Sequence, residues 1–470
     1  MMKCFLAFFA LLVAALLAGC QHYRPIPLSA NERVVAFESR SLDDPALQDF
    51  VQKWSHAASA SWPPAQWDFA TLTLVAFYFH SDLDLARAQW DVAKAGVTAA
   101  GGRPNPVLSV VPGYSMNPAN GISPWFPLVS LDIPVETMGK RGHRIAHAQK
   151  LSDASRHNIA SAAWRVRSNL RRSLLDYSAA QRRADLLQQQ LQVQQQIVAL
   201  LEQRFQAGAA GRAELTLPRV ALARAGVEFA DAARLAAEAR VRIAEALGLP
   251  TKVVAEMKLP TQWPISAETG KELTAPEARE QALLSRPDIL AALADYAASE
   301  SALQLEIARQ YPDVHLNPGY QFDQGEHKWS LGIVAELPVF NQNQGLIAEA
   351  AAKREESAAR FDALQAKVIA EIDRALAART AAMEQVTRQT SLTELAREQR
   401  AAVESMFKAG AADKLELSSA QLEASVNDLA SLDAQFKAQQ AIAQLEEAIQ
   451  RPLEPWPALE EGRAAKAKSP

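Results

Sequence analysis

Phe205-Gln206-Ala207-Gly208-Ala209-Ala210 returns 202 positions later as Phe407-Lys408-Ala409-Gly410-Ala411-Ala412, and each copy is followed by Glu-Leu, Glu214-Leu215 and Glu416-Leu417. A second pair lies upstream. Arg103-Pro104-Asn105-Pro106 through Pro112-Gly113-Tyr114 recurs 206 positions on as Arg309-Gln310-Tyr311-Pro312 through Pro318-Gly319-Tyr320. Periods of this length mark one structural unit duplicated and paired with itself, since solenoid repeats are several times shorter.

Before each Gly runs an uninterrupted helical pattern, Ile145 to Phe205 and Ile347 to Phe407, with neither Pro nor Gly inside. At about 1.5 Å per residue each would reach about 90 Å. Leu187, Leu191, Val198, Leu201 and Phe205, with Gln194 in the gap, keep a 4-3 rhythm, as do Leu395, Gln399, Ala402 and Met406. That spacing predicts coiled-coil packing, and the glutamines between Gln188 and Gln196 read as its solvated face. The Gly permits a turn at positive φ, and a helix returns over Glu214–Leu247 and Glu416–Ile449. Gly248-Leu249-Pro250 and Arg451-Pro452 stop those helices.

Upstream of each long run the pattern alternates, predicting strands. Leu108, Val110 and Tyr114 oppose Ser109 and Gly113; Val129, Leu131, Ile133 and Val135 oppose Ser130 and Asp132. In the second copy Val314, Leu316, Tyr320 and Phe322 oppose His315, Asn317 and Gln321; Trp329, Leu331, Ile333, Leu337 and Val339 oppose Ser330, Gly332 and Glu336. Strands of about nine to eleven residues with one apolar face suit a membrane barrel. Alternation alone suits a soluble antiparallel sheet with one face on a core equally well. Four strands cannot close a barrel and a bilayer forbids open edges, so other copies would have to complete one.

The N-terminus bears on location. Lys3 followed by the uncharged apolar run Phe5 to Leu17 predicts a signal peptide over residues 1–19, too short to span a bilayer comfortably. Leu17-Ala18-Gly19-Cys20 resembles the lipobox of bacterial lipoproteins, which implies lipidation of Cys20; Gln21 after it implies passage to the outer membrane. An ordinary signal peptide with a chance Cys is the other reading. Cys4 lies in the leader, so the mature chain keeps only Cys20 and can form no internal disulfide. The 49 basic and 53 acidic residues give a net charge of -4 and no support for nucleic-acid binding. Residues 20–67 read as an extended lipid-anchored arm and 68–250 as the first repeat. Residues 251–275 read as a Pro-rich linker, 276–452 as the second repeat and 453–470 as a tail.

The order helix, strand hairpin, long helix, Gly turn, return helix, given twice, resembles the TolC-type outer-membrane efflux factors. Leu131-Asp132-Ile133-Pro134-Val135 and Glu336-Leu337-Pro338-Val339, followed by Gly142 and Gly345, add to that resemblance. It implies a mainly α fold with membrane β: a homotrimer with a twelve-stranded barrel in the outer membrane over an α-helical barrel in the periplasm. It also implies passive conduction in partnership with a periplasmic adaptor and an inner-membrane pump, of resistance-nodulation-division type. Ile133-Pro134-Val135-Glu136-Thr137-Met138-Gly139-Lys140-Arg141 resembles members serving heavy-metal cation pumps.

Carried onto this chain, the resemblance makes Phe205, Gly208, Arg212, Glu214, Phe407, Gly410, Asp413, Lys414 and Glu416 the periplasmic tip, both gate and adaptor-docking surface. Glu416 matches an acidic pore position, and Glu214 is its counterpart; the other reading is a helix-start carboxylate favoured by the helix dipole. Where some members carry a gate-locking Arg, this chain has Ala412. Asp132 and Glu336, read as equivalent, would face the barrel lumen. Tyr114, Tyr320, Trp125 and Trp329 would form an aromatic girdle, with Ser115–Pro124 and Asp323–Lys328 as external loops. No HExxH, G-x-S-x-G or phosphate loop is present, so no catalytic residue, cofactor or metal site is expected. His143 and His147 are spaced to share a metal but lack a third ligand. A structural alternative is a periplasmic coiled-coil lipoprotein acting as a scaffold.

Overall fold

The computed structural model describes residues 23–54, 62–261 and 273–453. Cys20, the leader and the tail beyond 453 lie outside them. The chain divides into two compact units, Met1–Ser41 and Leu42–Pro470. In the first, helix α1 (Ala30–Glu38) is capped by the Ser29 side chain, which accepts from the Glu32 N–H, and it buries none of its residues.

The second unit contains everything else. Helix α2 (Pro45–Trp54) buries Leu47 and Val51, so the stretch read as an extended arm is partly helical and packed. The cause is amphipathic spacing: Leu47 and Val51 stand one turn apart and join the largest apolar core. Asp44 accepts from the Ala46 N–H and from the Tyr78 hydroxyl, pinning that entry to the next helix.

Helices α3 (Phe69–Phe79) and α4 (Ser81–Ala100) follow, two elements where the repeat order places one helix before the hairpin. His80 breaks them with extended backbone, and its Nδ1 accepts from the Asp82 N–H. Strands β1 (Val107–Val111) and β2 (Leu128–Val135) lead into α5 (Lys140–Gln206), 67 residues long. Return helix α6 (Arg212–Leu247) ends at Gly248, whose φ of 69° supplies a left-handed stop. Short helix α7 (Thr251–Ala255) buries Val254, and Met257 and Leu259 join the same core. The segment read as a linker thus contributes its first part to the first repeat's core, because its apolar residues outweigh its prolines.

The second copy repeats the plan. Helices α8 (Ala275–Ser285) and α9 (Pro287–Ala308) are separated at Arg286 as α3 and α4 are at His80. Strands β3 (Val314–Asp323) and β4 (Glu326–Ala335) precede α10 (Gln344–Lys408) and return helix α11 (Lys414–Ile449). A smaller core forms where α8, α9, α10 and α11 meet, around Ile289, Val368, Ile372 and Leu445. The two long helices advance about 100 Å each at the α-helical rise.

Between the long helix and its return, packing follows the expected seam in the first copy: Leu187, Gln194, Val198 and Leu201 are buried. In the second copy the expected stripe points elsewhere. Leu395 and Met406 are exposed, and Thr393 is the residue buried near them, its hydroxyl donating to the Gln389 carbonyl. The 4-3 rhythm on α10 therefore marks a face the single chain leaves open.

Candidate channel-forming surfaces

The strands form one four-stranded antiparallel sheet in the order β1-β2-β3-β4, so the two hairpins are joined through β2 and β3. Register sorts the side chains by face, because alternate residues point to opposite sides. Leu108, Val129, Leu131, Leu316, Tyr320, Trp329, Leu331 and Ile333 share one face; Ser109, Ser130, Asp132, His315, Gln321 and Ser330 share the other. The apolar face is open: Trp329 is 80% exposed and Leu331 68%. β1 and β4 are left as unpaired edges.

The aromatics pair across strands in both hairpins. Tyr114 bridges Trp125 with ring centroids 4.9 Å apart, and Tyr320 stands opposite Trp329, also at 4.9 Å. The glycine of the first Pro-Gly-Tyr is required sterically, since a Cβ on Gly113 would lie 2.3 Å from the Phe126 ring and 2.8 Å from its carbonyl oxygen; at Gly319 a Cβ would crowd only Ser330 Oγ, at 2.9 Å, which can rotate away. Gln324 and Gly325, both at positive φ, make a two-residue hairpin turn. The second external loop is therefore this turn, and Glu326–Lys328, expected within it, continue β4. β1 is shorter than expected, bounded by Pro106 and Pro112.

On the polar face His315 Nδ1 lies 2.9 Å from Asp132 Oδ1. Asp132 and Glu336 are not equivalent. Glu336 falls just past β4, and Val135↔Val314↔Ala335 puts Glu136 at its level. Glu136 is held by Arg144, whose Nη1 donates to Oε1 at 2.6 Å. His147 Nδ1 sits 2.8 Å from the Ala298 carbonyl, a contact between α5 and α9. Among the described residues no cluster of three or more His, Cys, Asp or Glu side chains is placed to hold a metal ion.

At the far end the two tips are built alike. Gly208 and Gly410 have φ of 73° and 75°, the region open to glycine. In each, the N–H after the Gly reaches back five residues: Ala209 to the Arg204 carbonyl at 2.8 Å, Ala411 to Met406 at 2.9 Å. Phe205, Phe407, Arg212 and Lys414 are exposed. Glu416 accepts from the Asp413 N–H while Asp413 accepts from the Glu416 N–H, both at 2.8 Å, a reciprocal capping box. In the first copy Glu214 accepts from the Gly211 N–H at 3.3 Å, and Gly211 has no side chain to answer it.

Arg204 was not singled out by sequence, yet it ties the tips together: its Nη2 donates to Asp413 Oδ2 at 2.6 Å. The Glu416 N–H bond and Arg204 hold the Asp413 carboxyl below its ordinary pKa. The link is one rung of a seam between α5 and α11. Arg183 meets Asp433 at 2.7 Å, Arg172 meets Glu447 at 3.1 Å, and at the core end Arg167 and Arg171 converge on buried Glu446.

Residues 80–249 and 278–450 match the family described as outer membrane efflux protein, one match per repeat. The chain belongs to the outer membrane efflux protein family. A relative in this family, the cobalt-zinc-cadmium resistance protein CzcC of Cupriavidus metallidurans, is 24% identical over 266 residues. The alignment spans 56% of this chain and 61% of CzcC. VceC, an outer membrane protein of Vibrio cholerae, superimposes with a TM-score of 0.67 at 18% identity, covering 82% of this chain and 97% of VceC. The CmeC outer membrane channel of Campylobacter jejuni gives 0.66 at 15%, covering 96% and 98%. The fold of the family, a duplicated helical repeat carrying a small sheet, is thus the fold of this chain.

Proposed function

We propose that three copies of this chain form the outer-membrane conduit of a tripartite efflux system. The observation that carries this reading is the sheet: one exposed apolar face girdled by Tyr–Trp pairs, an opposite face that gathers Ser109, Ser130, Asp132, His315, Gln321 and Ser330, and two unpaired edges. In lipid such edges must be closed by more strands, and three sheets of four would make a twelve-stranded barrel with Asp132 and His315 in its lumen. The repeats 68–250 and 276–452 would each supply a long helix and its return to a hollow periplasmic stalk. Lipidated Cys20 would anchor the mature chain beside the barrel. The tip, from Phe205 and Gly208 to Arg212 and from Phe407 and Gly410 to Lys414, would meet a periplasmic adaptor and, through it, an inner-membrane pump of resistance-nodulation-division type. Heavy-metal cations are the proposed cargo, by similarity to CzcC.

The test is direct. Outer-membrane fractions should contain a heat-modifiable trimer that conducts ions in planar bilayers, and cells lacking the gene should become sensitive to cobalt, zinc or cadmium. A mature protein without Cys20 that is monomeric and soluble without detergent would favour the scaffold instead.

Three copies of Glu416 would form a carboxylate ring at the tip, drawing cations. Glu416→Gln separates that role from capping, since Gln fills the same place in a capping box. The variant is expected to fold and assemble as wild type while losing cation-over-anion selectivity in bilayer recordings. Unchanged selectivity would leave the residue as a cap alone.

A further inference from the structure

Among the described residues, the polar face of the sheet carries one imidazole. His315, the second residue of β3, sits at the end of the sheet nearest the helices. His327, the other histidine of the strands, lies on the opposite face, with its Nδ1 2.6 Å from the Tyr320 hydroxyl oxygen. His315 Nδ1 stands 2.9 and 3.0 Å from the two oxygens of Asp132. A carboxylate only accepts, so Nδ1 carries the proton and donates, and the neutral ring keeps its lone pair on Nε2. That nitrogen has no hydrogen-bond partner among the described residues, and the side chain is 38% exposed.

The acids nearest the foot of the sheet are engaged elsewhere. Asp313 accepts from Lys140 Nζ at 2.7 Å and from the Thr137 N–H at 3.0 Å, and Glu136 accepts from Arg144 at 2.6 Å. Across the strands His315 stands opposite Pro134 and Val334, and Asp132 opposite Val107. The polar face thus offers one oriented nitrogen lone pair, backed by a carboxylate and open to water.

A histidine that ligates a metal through one nitrogen commonly donates from the other to a carboxylate, which fixes the tautomer and raises the basicity of the ligating atom. Imidazole nitrogen suits zinc and its neighbours, whereas magnesium and calcium take oxygen. We propose that His315 Nε2 is a transient coordination point for divalent d-block cations crossing the barrel, with Asp132 as its positioning carboxylate. The proposal rests on the conduit reading above and gives that conduit a cargo-binding residue. No cluster of three His, Cys, Asp or Glu side chains encloses the ion among the described residues. Water fills the remaining positions and the hold is weak, as conduction requires of a site that must also release.

The experiment records wild-type trimers in planar bilayers, in potassium chloride with zinc or magnesium chloride added at equal concentration. Zinc is expected to lower the single-channel current more than magnesium does. His315→Gln should abolish that difference, and His315→Cys should keep it through a thiolate, itself a zinc ligand. Asp132→Asn should shrink it; the comparison with magnesium cancels the lost lumen charge. A second readout needs no variant. Diethyl pyrocarbonate modifies free imidazole nitrogen, and mass spectrometry of native trimers should find His315 protected by zinc and not by magnesium. A conducting trimer that answers both cations alike, labels equally in both, or keeps its full zinc response in His315→Gln or Asp132→Asn would overturn the dyad and leave the conduit standing. A chain that forms neither trimer nor pore would overturn both.

Discussion

Glu446→Ala is expected to destabilise the unit Leu42–Pro470 by about 3–5 kcal/mol, the cost of stranding buried charge whose partner has been removed. Glu446 is 1% exposed and Arg167 6%. Arg167 Nη1 donates to Glu446 Oε2 at 2.9 Å, Arg171 reaches the same oxygen, and the Leu453 N–H donates to Oε1 at 2.9 Å. Arg167 also lies over the Phe69 and Trp164 rings, 4.9 and 5.0 Å from their centroids. One carboxylate thus joins α3, α5, α11 and the segment after α11. Arg172, next along α5, makes an exposed pair with Glu447, and Arg172→Ala should cost under about 1 kcal/mol. Urea unfolding in detergent, followed by helical circular dichroism, would measure both, and equal effects would refute the assignment.

The same site gives a pH signature. Burial alone would raise the Glu446 pKa; Arg171 and Arg167 outweigh it and hold the carboxyl below its ordinary value. A depressed carboxylate contributes stability that is complete above the unfolded-state pKa and lost as pH falls through the folded value. Wild type should therefore lose stability below the ordinary carboxylate range more steeply than Glu446→Gln does. Parallel curves would mean the triad is not coupled to folding.

What sequence could carry was whatever is local and periodic. The long helices, their glycine turns and the alternation within each strand rest on spacing within one element and were legible; the strand ends were not, since Tyr114, Leu337 and Val339 fall outside β1 and β4. The triad was not, because Arg167 and Glu446 are 279 positions apart and each reads alone as a solvated helix charge. Arg204 and Asp413 stayed hidden for the same reason. The α2 helix escaped because scattered Pro and Trp dominate its surroundings, although Leu47 and Val51 carry its amphipathic signal. The supposed equivalence of Asp132 and Glu336 failed because it compared motifs by their Pro residues, whereas the sheet register counts strand pairs. The stripe on α10 lies exposed in the single chain, and spacing within one helix cannot say what would cover it.

Leu331 and Ser330 are neighbours on β4 that face opposite sides of the sheet, and arginine should distinguish them sharply. By register Leu331 stands opposite Pro318 on the apolar face and Ser330 opposite Gly319 on the polar face. Leu331→Arg would put a guanidinium among acyl chains, costing about 2–4 kcal/mol per copy near the bilayer midplane. Trimers assembled in outer membranes should fall steeply in yield. Ser330→Arg would place the same charge in a water-filled lumen, where it is tolerated and should lower cation conductance instead. A soluble scaffold gives the opposite expectation, because an apolar face in water would gain solubility from Leu331→Arg. Extraction behaviour and trimer yield on unheated gels read the difference. Equal tolerance of both substitutions would mean that neither face meets lipid, and the sheet would then need a protein cover rather than a membrane.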